Sequence, residues 1–71
     1  MSKIKTILGK LENLQAELSE LAEEMQETYD NRSERWQESE KGEEYSDKIE
    51  AVSDAADSVG DAVDTLSDYA E

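Results

Sequence analysis

Hydrophobic residues recur every three or four positions along the first part of the chain. This spacing predicts a long amphipathic helix over about residues 3–29. With Ile4 at heptad position a, apolar residues fill positions a and d, and others at position e widen the apolar face. The residues at a and d are Ile4, Ile7, Leu11, Leu14, Leu18, Leu21 and Met25. Those at e are Leu8, Ala22 and Tyr29.

The second half of the chain repeats the pattern and predicts a second helix over about residues 40–70. With Ile49 at position a, apolar residues fill a and d without a break, and the pattern extends back through Tyr45 and Gly42. No proline interrupts either run. The a and d residues of this run are Ile49, Val52, Ala56, Val59, Val63, Leu66 and Ala70.

The segment between the two runs, about residues 30–39, carries turn and capping residues. Ser33 can cap a short helical turn through Gln37, and Ser39 is the expected N-cap of the second helix. A connection of this length makes two helices antiparallel neighbours. We therefore expect one all-α domain over residues 1–71, built as an antiparallel, coiled-coil-like two-helix hairpin.

The apolar faces of both predicted helices are wider than one partner helix can cover. A chain this short also buries only about 60% of the surface that it exposes when unfolded. Small residues beside the second helix's apolar face, such as Ala55, Gly60 and Ala62, would let another helix approach closely. We therefore expect self-association, with two hairpins forming a four-helix bundle or a higher homo-oligomer.

Acidic residues fill the two outermost heptad columns of the second helix. Every f and b position from Asp47 onward is Asp or Glu, and no Lys or Arg follows Lys48. Because a solvated helix normally mixes signs to gain i,i+4 pairs, a one-sign series suggests that a partner recognises the charge. A face that only keeps a small oligomer in solution is the alternative. We call these residues the acidic stripe: Asp47, Glu50, Asp54, Asp57, Asp61, Asp64, Asp68 and Glu71.

Composition narrows the function classes. A formal net charge of −13 disfavours direct binding to nucleic acid or to an anionic membrane surface. The chain contains no His and no Cys, which removes the usual nucleophile–base pairs, thiolate metal sites and disulfides. We therefore expect no enzyme activity, no cofactor and no metal site. Residues 1–10 lack a signal peptide or membrane span, so an intracellular location is expected.

Aromatic and basic residues gather around the predicted turn. Arg and aromatic side chains are common anchors of protein interfaces, so Tyr29, Arg32, Arg35 and Trp36 form a candidate second contact surface. A further alternative is that anionic nucleotides bind between subunits, near Trp36 and the two arginines. A cluster in which Trp36 folds over the hairpin end, closed by Tyr29 and Tyr45, is the interpretation that we favour.

The turn also resembles a known group of proteins. Tyr29-Asp30-Asn31, followed by Ser33-Glu34-Arg35-Trp36-Gln37-Glu38-Ser39-Glu40-Lys41-Gly42-Glu43, is similar to the connecting segment of small acidic helical-hairpin proteins encoded by bacteriophages. Arg32 stands where many members have Met-Pro. The resemblance implies a phage origin, a hairpin fold and the cytoplasm of a bacterial host, and it assigns no functional residue.

These observations favour a non-catalytic phage or mobile-element protein. In this hypothesis the acidic stripe binds and inhibits a host or defence protein that has a basic surface, with DNA mimicry as the specific form. One alternative is a structural or assembly module that forms a homo-oligomeric helical bundle. The other is a sponge for small molecules such as nucleotides.

Overall fold

The computed structural model describes residues 3–70, and every regular element in that range is helical. Helix α1 spans Lys3–Asp30, α2 spans Glu34–Gln37 and α3 spans Glu40–Ser67. The long helices α1 and α3 pack against each other in a rod with extents of 53 × 14 × 12 Å. The predictions of an all-α chain and of a hairpin of two long helices are confirmed.

Two serines set the reversal of chain direction. The Ser33 side chain accepts a hydrogen bond from the backbone N–H of Trp36, and the Ser39 side chain accepts one from Gly42, both at 3.2 Å. Each serine has extended backbone angles and caps the helix that follows it, as the sequence predicts. Because α2 is a single helical turn between two caps, the chain can leave α1 and return along it as α3.

Helix α3 ends at Ser67, before the expected end near residue 70. Beyond it the backbone tightens, and the N–H of Tyr69 donates to the carbonyl of Leu66 at 3.0 Å. The last turn contains no basic residue, and Asp64 and Asp68 place negative charge at the negative end of the helix dipole, which weakens the final turn.

The contact between the long helices uses both the a and d columns of α3, but only some of the apolar columns of α1. Along α3, Ala56 is buried, and the other a and d residues from Tyr45 to Leu66 are half-buried. Helix α1 packs with columns a and e instead, and its d residues Ile7, Leu14 and Leu21 are exposed. Column d is therefore the part of the wide apolar face of α1 that α3 leaves most exposed.

A single partner helix covers only about two adjacent columns, whereas α1 has three apolar ones. Column e includes Tyr29, whose ring meets Trp36 at the turn, and Leu8, which is buried near the other end. These two residues turn column e towards α3, so column d rotates out of the contact. Half-buried residues of columns a and e are Leu11, Gln15, Leu18, Ala22, Met25 and Tyr29.

A close contact between Gln15 of α1 and Gly60 of α3 marks one of the two long sides of the hairpin. A Cβ atom built at Gly60 of α3 would lie 2.6 Å from Nε2 of Gln15, so the Gln15 side chain covers that glycine. Gln15 and Leu14 flank the half-buried Leu11 and Leu18 on opposite sides, because residues three and four apart are neighbours on a helix. We call the two faces the Gly60 side and the Leu14 side.

Candidate functional site

The acidic stripe lies on the part of α3 that faces away from α1. Since Ala56 and the rest of the a and d columns face α1, the f and b columns are directed outward. All seven stripe residues within the described range are exposed, and Glu71 lies outside that range. The seven are Asp47, Glu50, Asp54, Asp57, Asp61, Asp64 and Asp68.

The stripe continues from the back of α3 onto the Gly60 side. Asp57 and Asp64 lie three residues before and four residues after Gly60, so they share its side of the helix. The Leu14 side of α3 carries no member of the stripe. From residue 51 onward it presents neutral columns instead, with Ala55, Ala62 and Tyr69 at position g and Ala51, Ser58 and Thr65 at position c. Nearer the turn, Lys41 and Lys48 occupy position g and Glu44 occupies position c.

The helix fixes the spacing of the carboxylates. Consecutive stripe residues are three or four positions apart, which corresponds to axial steps of about 4.5 and 6 Å. Asp is a poorer helix former than Glu by a few tenths of a kcal/mol, yet the five acids from Asp54 to Asp68 are all Asp. The result is a rigid one-sign array that can attract a cationic surface over about 8–10 Å at moderate ionic strength.

A second acidic surface on α1 was not singled out from the sequence. It lies near the turn, at the end of the rod where the stripe begins. Within it, the Gln26 amide donates to the Asp30 carboxylate at 2.9 Å. The sequence indicates this surface by a segment that is rich in Glu and has no Lys or Arg between Lys10 and Arg32. The residues of this surface are Glu20, Glu23, Glu24, Gln26, Glu27 and Asp30.

The aromatic residues of the turn form one cluster. Trp36 lies between Tyr29 and Tyr45, with ring centroids 6.1 and 5.7 Å away and interplanar angles of 63° and 66°. The Arg32 guanidinium lies over the indole, 4.3 Å from the ring centroid. Such edge-to-face and cation–π contacts stabilise a compact cluster. The geometry is that of a plug at the closed end of the hairpin.

Hydrogen bonds tie this cluster to the end of α1. The Gln37 side-chain amide donates to the carbonyls of Tyr29 and Arg32, at 2.8 and 3.3 Å. Arg35 lies in the same short helix and is exposed. A nucleotide base stacking on Trp36 would have to displace Arg32 from the ring, so the cluster offers no ready-made stacking surface for one.

The described part of the chain contains neither a cluster of metal-binding residues nor a helix suited to span a membrane. No three carboxylates among residues 3–70 converge closely enough to hold a metal ion. This follows from the geometry, because side chains on one helix face spread apart as they leave the axis. None of the helices in this range has the length and apolar character needed to cross a bilayer.

Comparisons of the chain with protein-family models, with curated protein sequences and with solved structures found no significant match.

Proposed function

We propose that this protein acts without catalysis, by binding a protein with a basic surface through the acidic stripe of α3. The observation that supports the proposal is the uniform exposure of the seven described carboxylates on one continuous helix. With no Lys or Arg after Lys48, the stripe has no basic neighbours along its own helix. The lysines at the start of α1 are too few to neutralise its eight acids, so most of its charge is available to a partner.

DNA mimicry is the specific form of this proposal. Each strand of B-DNA carries one charge per about 3.4 Å of axis. The stripe carries one per about 5 Å, the mean of its two axial steps. It therefore approaches the charge density of a single DNA strand, and the basic groove of a DNA-binding protein is the surface that it fits best. The resemblance at the turn adds the proposal of a phage or mobile-element origin, with a host or defence protein in the cytoplasm as the target.

A pair of matched variants tests this function. The first replaces Asp54, Asp57, Asp61 and Asp64 with Asn, and the second replaces Glu20, Glu23 and Glu27 of α1 with Gln and Asp30 with Asn. Both remove four negative charges, so they differ only in where the charge is lost. Immobilised wild-type chain and the α1 variant should retain the same proteins from a bacterial lysate, and duplex DNA should elute them.

The stripe variant should retain none of those proteins while its helical circular dichroism stays unchanged. Equal retention by both variants would show that the stripe is not the binding surface. Loss of retention in both would show that net charge, rather than this face, governs binding. Retention by the stripe face without elution by duplex DNA would contradict the mimicry and leave the acidic-face interaction standing.

A homo-oligomeric helical module is the second candidate function. The observation that favours it is the exposure of the whole d column of α1, formed by Ile7, Leu14 and Leu21. Large aliphatic side chains spaced by seven residues along one helix face are typical of a helix that packs on another helix. The two functions are compatible, because this column and the stripe lie on different sides of the hairpin.

A further inference from the structure

Four of the five large apolar side chains that the described hairpin leaves exposed lie together on the Leu14 side, and the fifth, Ile4 of column a, is the least exposed at 36%. Ile7, Leu14 and Leu21 on α1 are 50%, 49% and 42% exposed, and Tyr69 beyond α3 is 68% exposed. Gln15 is level with Gly60, and the helices run in opposite directions. Leu14 is therefore level with Ala62, Leu21 with Ala55 and Ile7 with Tyr69. These six residues form one apolar face along the rod.

The charged residues that border this face on α1 are complementary to those of a second α1 that runs in the opposite direction. Position g, next to the exposed d column, reads Lys3, Lys10, Glu17 and Glu24. If a second α1 lies antiparallel across the d column, with Leu14 opposite Leu14, then Lys10 meets Glu17 and Lys3 meets Glu24. The same pairings occur twice, because the arrangement has two-fold symmetry.

The other symmetric arrangement lacks this complementarity. If the two rods lay with their turns at the same end, α1 would face α3 of the second copy. Column g of α1 would then border column c of α3, so that Lys10 meets Thr65 and Glu17 meets Ser58. Lys10 would then gain no carboxylate, and Glu17 would gain no lysine. Opposite charges across helix flanks are what select orientation in coiled-coil assemblies.

From these observations we infer that the Leu14 side is a homodimer interface. Two hairpins pack antiparallel, α1 against α1, around a two-fold axis beside Leu14. Around the axis, Ala62 meets Ala62, and the small side chains there let the α3 helices approach closely. Both acidic stripes remain on the outside, so the dimer presents two acidic faces. The inference rests on the second proposed function, homo-association, and does not depend on what the stripe binds.

The area of this contact is sufficient for a specific dimer. About 22 overlapping residues of α1 span about 33 Å, and two adjacent helices of about 10 Å diameter make a face about 20 Å wide. The contact therefore covers about 660 Å² on each protomer, or about 1,300 Å² in total, which lies at the lower end of the range for stable interfaces. We expect dissociation in the micromolar range rather than an obligate dimer.

Disulfide cross-linking of the full-length chain tests both the face and the orientation. The chain has no cysteine, so each variant carries a single thiol, and a disulfide forms only where Cα atoms come within about 7 Å. Under mild oxidation, Leu14→Cys and Ala62→Cys should each form a homodimer. Ser19→Cys, on the Gly60 side, is the matched control and should form no disulfide-linked dimer.

Mixed samples distinguish the two orientations. Ile7→Cys mixed with ¹⁵N-labelled Leu21→Cys should give a several-fold excess of mixed dimer over either homodimer. Cross-linking between Leu14→Cys and labelled Ala62→Cys in place of Leu14 homodimers would overturn the antiparallel orientation while leaving homo-association standing. A wild-type chain that sediments at its monomer mass of 8.0 kDa up to millimolar concentration would overturn both the inference and the second proposed function.

Discussion

Gly42 lies directly against the backbone of Trp36. A Cβ atom built at Gly42 would overlap the carbonyl oxygen of Trp36 and lie 2.5 Å from the carbonyl oxygen of Gln37. The first turn of α3 therefore packs on the end of α2 without any side chain between them. This contact positions Trp36 within reach of Tyr29 and Tyr45. A glycine within a helix costs about 1 kcal/mol relative to alanine, and here that cost permits the close approach that closes the hairpin.

Gly42→Ala should destabilise the hairpin by about 1–3 kcal/mol, since the added methyl group meets backbone atoms that cannot move aside independently. Gly9→Ala is the matched control, because nothing lies within 4 Å of a Cβ built at Gly9. That change should stabilise α1 by about 0.5–1 kcal/mol. Urea unfolding followed by circular dichroism measures both. Equal effects of the two substitutions would contradict the close packing at Gly42.

Trp36→Ala should lower the free energy of unfolding by about 2 kcal/mol, less than for a fully buried tryptophan because the side chain is half-buried. Arg32→Ala should cost only about 0.5–1 kcal/mol, as expected for a partly exposed cation–π contact. Urea unfolding of the two variants measures the difference. If Trp36→Ala left stability unchanged, the indole would not act as a plug, and the interface-anchor interpretation of the turn would gain weight.

The positions of the helices and their caps could be predicted from the sequence, but the rotation of α1 about its own axis could not. The spacing of apolar residues and the serines before α2 and α3 are local signals, so they located the elements and their caps. Which columns of α1 face α3 depends on tertiary contacts, among them Tyr29 with Trp36 and Gln15 over Gly60. Periodicity alone cannot rank three adjacent apolar columns when one partner helix covers only two.

The same distinction applies to the candidate surfaces. Exposure of the acidic stripe could be predicted, because positions f and b lie opposite any a and d contact on α3. The stripe and the Ile7–Leu14–Leu21 column lie on different sides of the rod. This could be seen only from the structure, where Gln15 lies against Gly60. The sequence contained the pattern of Lys3, Lys10, Glu17 and Glu24, but its meaning depends on column d being exposed.

Reversing one charge beside the apolar face should weaken the dimer, and reversing its partner should restore it. Lys10→Glu places a like charge opposite Glu17 of the second copy at two equivalent positions. At about 0.5–1 kcal/mol per pair, this should raise the dissociation constant about 5- to 30-fold. The double variant Lys10→Glu with Glu17→Lys should return close to the wild-type value. Analytical ultracentrifugation measures all three, and a double variant no better than Lys10→Glu alone would contradict the pairing.

Salt should act differently on the two proposed interactions. Raising the ionic strength from about 0.05 M to about 0.5 M screens exposed charges, so partner binding through the stripe should weaken steeply. The homodimer rests mainly on apolar contact between two chains of net charge −13, and the reduced repulsion between them offsets the screening of the exposed Lys–Glu pairs. Its dissociation constant should stay constant or fall. A dimer that dissociates as salt rises would contradict an apolar interface.

The most direct test of the acidic stripe is the dissociation constant of a captured partner for the two matched charge variants. Loss of Asp54, Asp57, Asp61 and Asp64 should cost about 2 kcal/mol, a roughly thirtyfold weaker affinity, if each carboxylate contributes about 0.5 kcal/mol. The α1 variant with the same net charge should bind within about threefold of wild type, since its carboxylates lie on the other helix. Equal weakening by both variants, or none by the stripe variant, would contradict the proposal that this face binds the partner.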